Sequence, residues 1–240
     1  MSLDVALTPD RLDRAALPIS TVLVVDVLRA STTMITALGN GCAGIVPVAD
    51  AADAVARARA IGATALVAGE RRGQTIAGFD LGNSPLEVTR ERVGGRTLVF
   101  TTSNGTRALL AARPAPAVGV AGLVNLSAAV SWAVGEGRPI TVLCAGERGD
   151  VSLEDQVCAG LLVDGVLRAE PRAELTEAAR AALEIGRGYG KAVARLAEES
   201  PWARHLALSG RGDDVSACLV LDTTTLVPVL NVDKVVVGSR

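Results

Sequence analysis

Thr21-Val22-Leu23-Val24-Val25-Asp26-Val27-Leu28-Arg29-Ala30-Ser31-Thr32-Thr33 is the stretch on which the fold turns. The run from Thr21 to Val27 is apolar and rich in β-branched residues, so it reads as a strand buried on both faces. Strands of that kind belong to parallel sheets covered by helices on either side. The run ends on a carboxylate, an arginine and three hydroxyls, and a helix is expected from Ala30 to Gly39. In open α/β sheets ligands sit just beyond the carboxyl ends of the strands. Asp26 there can hold a metal or act as a nucleophile. Arg29 can clamp an anion with a two-pronged hydrogen bond, and the helix start at Ser31, Thr32 and Thr33 can turn free N–H groups toward it.

Outward from this segment, strand and helix signals alternate. Strands are expected at 44–49, 65–68, 97–101, 117–121 and 140–145. Helices are expected at 50–61, with Asp50 as cap and Gly62 as stop, and at 85–92, 106–112 and 126–135. This alternation predicts parallel βαβ units and an α/β fold with a three-layer α/β/α architecture. After Gly146 the pattern turns helical, with helices expected from Ser152 to about Arg168, from Ala173 to about Ile185 and from Lys191 to Glu199. The chain closes on a hairpin, 227–230 with 234–237. No low-complexity linker interrupts it, so residues 1–240 are expected to form one domain with a helical segment near 153–209.

The chain has 240 residues and a net charge of −2, is 49% hydrophobic and only 2% aromatic. Its core must therefore be built from Ala, Val and Leu. The scattered charge gives no footprint for nucleic acid or a membrane surface, and no apolar run reaches the roughly 20 residues that a bilayer span needs. Cys42, Cys144, Cys158 and Cys218 form no C-x-x-C pair and are expected to be buried free thiols in a reducing, cytoplasmic setting. Ala- and Val-rich helix surfaces would suit a homodimer.

Polar clusters recur at the strand ends. They are Asp26/Arg29/Ser31, then Glu70-Arg71-Arg72-Gly73, then Thr101-Thr102-Ser103-Asn104-Gly105-Thr106-Arg107, then Glu147-Arg148-Gly149, followed by Ser152-Leu153-Glu154-Asp155. Each has a plain structural reading as well. Ser152 with Asp155 is a capping box, Asn104-Gly105 is a turn signal, and Asp26 can pair with Arg29. Repetition along one sheet edge favours a site. Leu66-Val67-Ala68-Gly69-Glu70-Arg71 also resembles Leu143-Cys144-Ala145-Gly146-Glu147-Arg148. The loop Gly78-Phe79-Asp80-Leu81-Gly82-Asn83-Ser84-Pro85 reads as an active-site wall. There is no P-loop and no dinucleotide fingerprint. Leu28 stands where a haloacid-dehalogenase-type phosphatase needs its second aspartate. With His205 the only histidine, expected on a helix surface, a catalytic metal would be oxygen-ligated, which favours Mg²⁺.

Together, Val25–Thr33, Ala68–Arg71, Gly78–Pro85, Thr101–Arg107, Cys144–Gly146 with Ser152–Asp155, Asp214-Val215, Cys218 and Val227-Pro228 resemble the 2-phosphosulfolactate phosphatases, in order over roughly 22–229. The resemblance implies a Mg²⁺-dependent hydrolase cleaving 2-phospho-3-sulfolactate to 3-sulfolactate and phosphate, a step of coenzyme M biosynthesis in methanogens. A phosphatase for another small phosphorylated hydroxy acid, or a non-catalytic binder of small anions, would use the same features. Chemistry then suggests Asp26, Arg29, Glu70 and Asp155 as catalytic candidates, with Asp26, Glu70 and Glu147 as metal ligands. Ser31, Thr32, Thr33, Arg71, Asn83, Ser84, Thr102, Asn104, Gly105, Thr106, Arg107 and Glu147 are expected around the anionic substrate. Whether Asp26 ligates the metal or attacks phosphorus stays open at this level.

Overall fold

The computed structural model describes residues 1–238. Its strands are β1 (Ser2–Ala6), β2 (Thr21–Val25), β3 (Gly44–Pro47), β4 (Ala65–Arg71), β5 (Gln74–Thr75), β6 (Thr97–Thr101), β7 (Ala117–Ala121), β8 (Ile140–Cys144), β9 (Glu174–Leu175), β10 (Pro228–Asn231) and β11 (Lys234–Val237). The helices are α1 (Ala30–Gly39), α2 (Ala51–Ile61), α3 (Arg90–Val93), α4 (Gly105–Ala112), α5 (Leu126–Gly135), α6 (Leu153–Ala169), α7 (Glu177–Tyr189), α8 (Leu196–Glu199), α9 (Pro201–Leu206) and α10 (Gly212–Cys218).

All the strands join one sheet in the order β5-β4-β6-β3-β11-β10-β7-β2-β8-β1-β9. Two parallel blocks, β4-β6-β3 and β7-β2-β8-β1, flank a central antiparallel hairpin, β10–β11. The hairpin reaches the blocks through Val229 opposite Gly119 and Val235 opposite Ile45. The sequence predicted the hairpin, and the fold seats it in the middle of the sheet.

Alternation along the buried strands fills two layers. Val22 and Val24 of β2 pack with Met34, Ala37 and Leu109 of α1 and α4. Leu23 and Val25 face the other way, onto Ala129, Val157, Leu162 and Ala182 of α5, α6 and α7. Strand β2 is fully buried along its length, which is the physical reason its sequence lacks any polar alternation. The expected α/β class and layered architecture hold.

Local chemistry sets the helix ends. Asp50 caps α2 by accepting the Asp53 N–H at 2.8 Å, and Gly62 ends it. Ser152 caps α6, accepting the Asp155 N–H at 3.4 Å. Two expected helices are displaced. Residues 85–92 form a turn and only then the short α3: the Ser84 hydroxyl donates to Asp214 and accepts the Leu86 N–H at 3.2 Å, which closes a local turn, and the helix starts after Thr89. The stretch from Ala173 begins instead as β9 beside β1, and its helix starts at Glu177, capped by the Thr176 hydroxyl. The expected Lys191–Glu199 helix forms from Val193, as a 3-10 turn over Val193–Arg195 that runs into the short α8. All four cysteines are buried and free, as expected. Among the described residues no helix is long and apolar enough to cross a membrane.

Candidate active site

The carboxyl ends of β2, β4, β6 and β8 open onto a narrow cleft lined by Asp26, Leu28, Arg29, Glu70, Arg72, Gly73, Asn83, Ser103, Asn104, Glu147 and Trp202. Its water-sized free volume is about 10 Å³, which is room for about one water. A larger groove of about 840 Å³ runs between α5 and the C-terminal hairpin. Its lining carries Ser, Thr and apolar residues with Glu136 as its single charged group. The chemistry converges at the strand ends.

Asp26 lies where β2 turns into α1. Its Oδ1 accepts the Ala30 N–H at 3.1 Å, and its backbone N–H donates to the Ser31 hydroxyl at 2.9 Å. Oδ2 lies against the start of α4, so close that a Cβ on Gly105 would stand 2.5 Å from it. Only glycine lets the start of α4 come this close to the carboxylate that the start of α1 holds. Burial pushes the Asp26 pKa up to about 7; the Ala30 N–H opposes the shift, while Glu70 and Glu147 add to it. Burial also raises Glu147, against the pull of the Asn104 amide, which donates to its Oε2 at 2.7 Å.

Glu70 and Glu147 reach the cleft by the same device. Arg72-Gly73 and Arg148-Gly149 both have positive φ at both positions, 55° and 78° in the first pair and 55° and 87° in the second. These are two-residue hairpin turns of the type that follows the strand's own twist, closed by Arg71 opposite Gln74 and Glu147 opposite Asp150. The similar Ala-Gly-Glu-Arg segments both lead into such a turn, which starts one residue later after Glu70 than after Glu147. The Glu70 carboxylate accepts backbone N–H groups from Gly73 and Ser103, each at 2.7 Å, and ties two loops together.

Arg29 is 2% exposed. It pairs with Asp214 of α10, and its Nη2 donates to the Gly73 carbonyl at 2.8 Å. Asp214 also accepts the Ser84 hydroxyl. Asn83, next in chain, lines the cleft with its Oδ1 wholly buried and unpartnered. An orphaned buried acceptor costs about 1–3 kcal/mol. Trp202 of α9 roofs the cleft, its indole N–H donating to the Leu28 carbonyl at 3.0 Å and its ring stacked on the exposed His205. A buried Glu154–Ser200 hydrogen bond of 2.7 Å anchors the start of α9 to α6.

Several sequence candidates sit elsewhere. Asp155 leaves the capping box half made: its carboxylate accepts the Val27 N–H at 2.8 Å and the Gly146 N–H at 3.1 Å, lacing β2 to β8 beneath the cleft. Burial raises its pKa well above the usual carboxylate range, reinforced by Asp26 and Glu154. Thr102 and Thr106 close their own turn, each hydroxyl accepting the other's N–H at 3.1 Å. Ser31, Thr32 and Thr33 are buried on α1, away from the cleft lining. Arg71 points back to the Thr101 hydroxyl and the Ala49 carbonyl, and Arg107 is exposed on α4. Arg72 lines the cleft in their place. Trp202 and Asp214 are the additions that residue spacing does not reveal; the lone signal was Asp214 in the family-like tail.

The three cleft carboxylates outnumber the arginines, because Asp214 already balances Arg29. Among the described residues no group of three or more His, Cys, Asp or Glu side chains has the geometry of a metal cage. A model of the 2-phosphosulpholactate phosphatase family matches residues 6–233. The chain belongs to this family. Its similarity extends to proteins named probable 2-phosphosulfolactate phosphatase across nearly full length. One from Synechococcus sp. is 41% identical over 231 residues, covering 92% of this chain and 93% of the relative. One from Symbiobacterium thermophilum is 38% identical over 215 residues, 89% and 92% of the two chains. One from Clostridium acetobutylicum is 32% identical over 228 residues, 95% and 97%. The family's name points to a phosphoric monoester hydrolase, and the strand-end cleft is where this family member gathers groups suited to that chemistry.

Proposed function

We propose that the chain hydrolyses 2-phospho-3-sulfolactate to 3-sulfolactate and phosphate with the help of Mg²⁺. The observation that carries the metal is the sign of the cleft. A substrate bearing phosphate, sulfonate and carboxylate would enter a site already dominated by Asp26, Glu70 and Glu147. A cation resolves that repulsion, and it also compensates for burying Asp26 and Glu147, whose pKa values burial raises first and neighbouring carboxylates raise further. The donor set fits: all oxygen, with Asp26 Oδ2 and Glu147 the carboxylates least committed to backbone N–H groups. Mg²⁺ usually keeps several waters and takes one or two carboxylates plus substrate phosphate, which agrees with the lack of a larger protein cage. When bound, Mg²⁺ supplies Lewis-acid stabilisation of charge on the phosphoryl oxygens.

The chain's own residues do the rest. Phosphoryl transfer depends mainly on positioning and charge neutralisation. The Asn104 and Gly105 N–H groups at the start of α4 have no acceptor among the described residues and point an anion site at Asp26. Arg72 adds an exposed positive charge at the rim. Water adds across the phosphorus–oxygen ester bond: its oxygen joins phosphorus, and the leaving sulfolactate oxygen takes up a proton. Glu70 and Asp155 brace the loops and strands that carry these groups. Trp202 excludes bulk water from above.

The test is phosphate release from 2-phospho-3-sulfolactate and a panel of other phosphorylated hydroxy acids, after chelation and after Mg²⁺ is restored. Turnover confined to the Mg²⁺ samples, and fastest on the sulfonate-bearing ester, is expected. No release with Mg²⁺ present, or full activity in chelator, would overturn the reading.

A further inference from the structure

The backbone from Leu81 to Ser84 is held from both sides. The Gly69 N–H donates to the Leu81 carbonyl at 3.1 Å, and the Gly82 N–H donates to Glu87 Oε2 at 2.7 Å. The Ser84 hydroxyl donates to Asp214, which pairs with Arg29. Between these ties Asn83 lines the cleft, 5% exposed, and makes no hydrogen bond among the described residues. Its Oδ1 is the one side-chain oxygen of the cleft lining that is wholly buried without a partner.

A bare carbonyl oxygen is satisfied by a proton donor or by a cation. A substrate bearing ionised phosphate, sulfonate and carboxylate brings acceptors only. Water is shut off from this oxygen, in a cleft with room for about one molecule. A Mg²⁺ ion lies about 2.0–2.1 Å from its ligands, closer than the about 2.7–2.8 Å at which water donates to oxygen. It therefore reaches an acceptor that water does not. Carboxylates alone form no cage among the described residues, so an ion seated beside Asp26 and Glu147 draws on neutral oxygens as well. Protein kinases use an asparagine side chain on Mg²⁺ for the same purpose.

We propose that Asn83 Oδ1 is a neutral ligand of the divalent cation, which it shares with Asp26 and Glu147. The assignment rests on the Mg²⁺-dependent reading above. It gives the unpartnered oxygen a partner, and the fixed loop explains how a neutral ligand is held ready while the ion is away.

Mg²⁺ and Zn²⁺ are each titrated calorimetrically, without substrate, into wild type, Asn83→Leu, Asn83→Asp and Asn83→Cys. Asn83→Leu keeps the volume and should bind Mg²⁺ at least roughly tenfold more weakly, since even an outer-shell partner of a metal contributes that much. Asn83→Asp retains an oxygen ligand and should bind Mg²⁺ at least as tightly as wild type. Asn83→Cys should weaken Mg²⁺ and spare Zn²⁺, raising the ratio of Zn²⁺ to Mg²⁺ affinity at least roughly tenfold, because thiolate favours the softer ion. A residue acting through the fold would weaken both metals alike. In chelator Asn83→Leu should melt no lower than wild type, because the amide has no internal partner to lose. Unchanged Mg²⁺ affinity in Asn83→Leu, an unchanged metal preference in Asn83→Cys, or a lower melting temperature of Asn83→Leu in chelator would overturn the assignment alone. If wild type itself takes up no Mg²⁺, the metal-dependent reading falls and the assignment falls with it.

Discussion

Replacing Asp26 with asparagine should make the metal-free protein more stable while abolishing its activity. In the folded state Asp26 titrates near 7, against 3.8 for an unburied aspartate, chiefly because burial removes its solvation. Between those values the folded protein holds a proton that the unfolded chain has released. Folding stability therefore falls as pH rises through this window. A shift of about 3 units corresponds to a loss on the order of 4 kcal/mol, complete above pH 7 and absent below pH 4. Asparagine cannot ionise, and its Oδ1 can still accept the Ala30 N–H. Urea unfolding in chelator, at intervals from pH 4.5 to pH 8.5, compares the two proteins. Asp155 titrates in both but is itself raised by Asp26, so the difference between the curves reports Asp26 together with its coupling to Asp155. The curves should converge at the acid end and separate by several kcal/mol at the alkaline end, the variant being the more stable. Mg²⁺ should then stabilise wild type selectively. Parallel curves, or a variant weaker at pH 8, would refute the argument.

Asp214→Asn breaks a buried pair and leaves Arg29 uncompensated, so a loss of about 3–5 kcal/mol in urea unfolding is expected, together with a fall in kcat/KM. Gly105→Ala drives a methyl group toward Asp26 Oδ2; phosphate release should drop at least tenfold while circular dichroism stays native, and a twofold change would show that the contact is slack. Arg107→Ala should keep kcat/KM within about twofold, because the side chain is exposed on α4 and surface changes are usually small. The cleft is too tight for a substrate as it stands, so the roof must shift. In a Trp132→Phe background, Trp202 fluorescence should change on saturation with 3-sulfolactate, and an unmoved spectrum would mean that the substrate enters without displacing α9.

The central strands were readable because burial on both faces leaves almost only apolar residues, chiefly Val, Leu and Ala, along their length. β6 and β7 fall where the apolar runs place them, and Asp50, Gly62 and Ser152 mark their helix termini through local hydrogen bonds. The gathering of Asp26, Glu70, Asn104 and Glu147 was readable too, because a parallel sheet sends equivalent strand ends to one edge. What stayed hidden depends on contacts distant in sequence. Trp202 reaches the Leu28 carbonyl across 174 residues, and Asp214 reaches Arg29 across 185. The swap of Arg71 for Arg72 follows from a hairpin turn whose positive φ no residue pattern there announced. Two-residue strands such as β5 and β9 carry too little sequence to register, and β1 interrupts its apolar residues with Ser2 and Asp4.

The central place of β10 and β11 bears on how the molecule is made. During synthesis the two parallel blocks emerge early, yet β3 and β7 have no direct partnership; the ladder between them is supplied by residues 228–237. The sheet therefore cannot become continuous until almost the whole chain has left the ribosome. Until then two open edges wait unpaired, each a template for wrong pairing. A chain stopped short of Pro228 would be left with two half-sheets instead of a trimmed whole, and Asp26 and Glu70 stand on opposite halves.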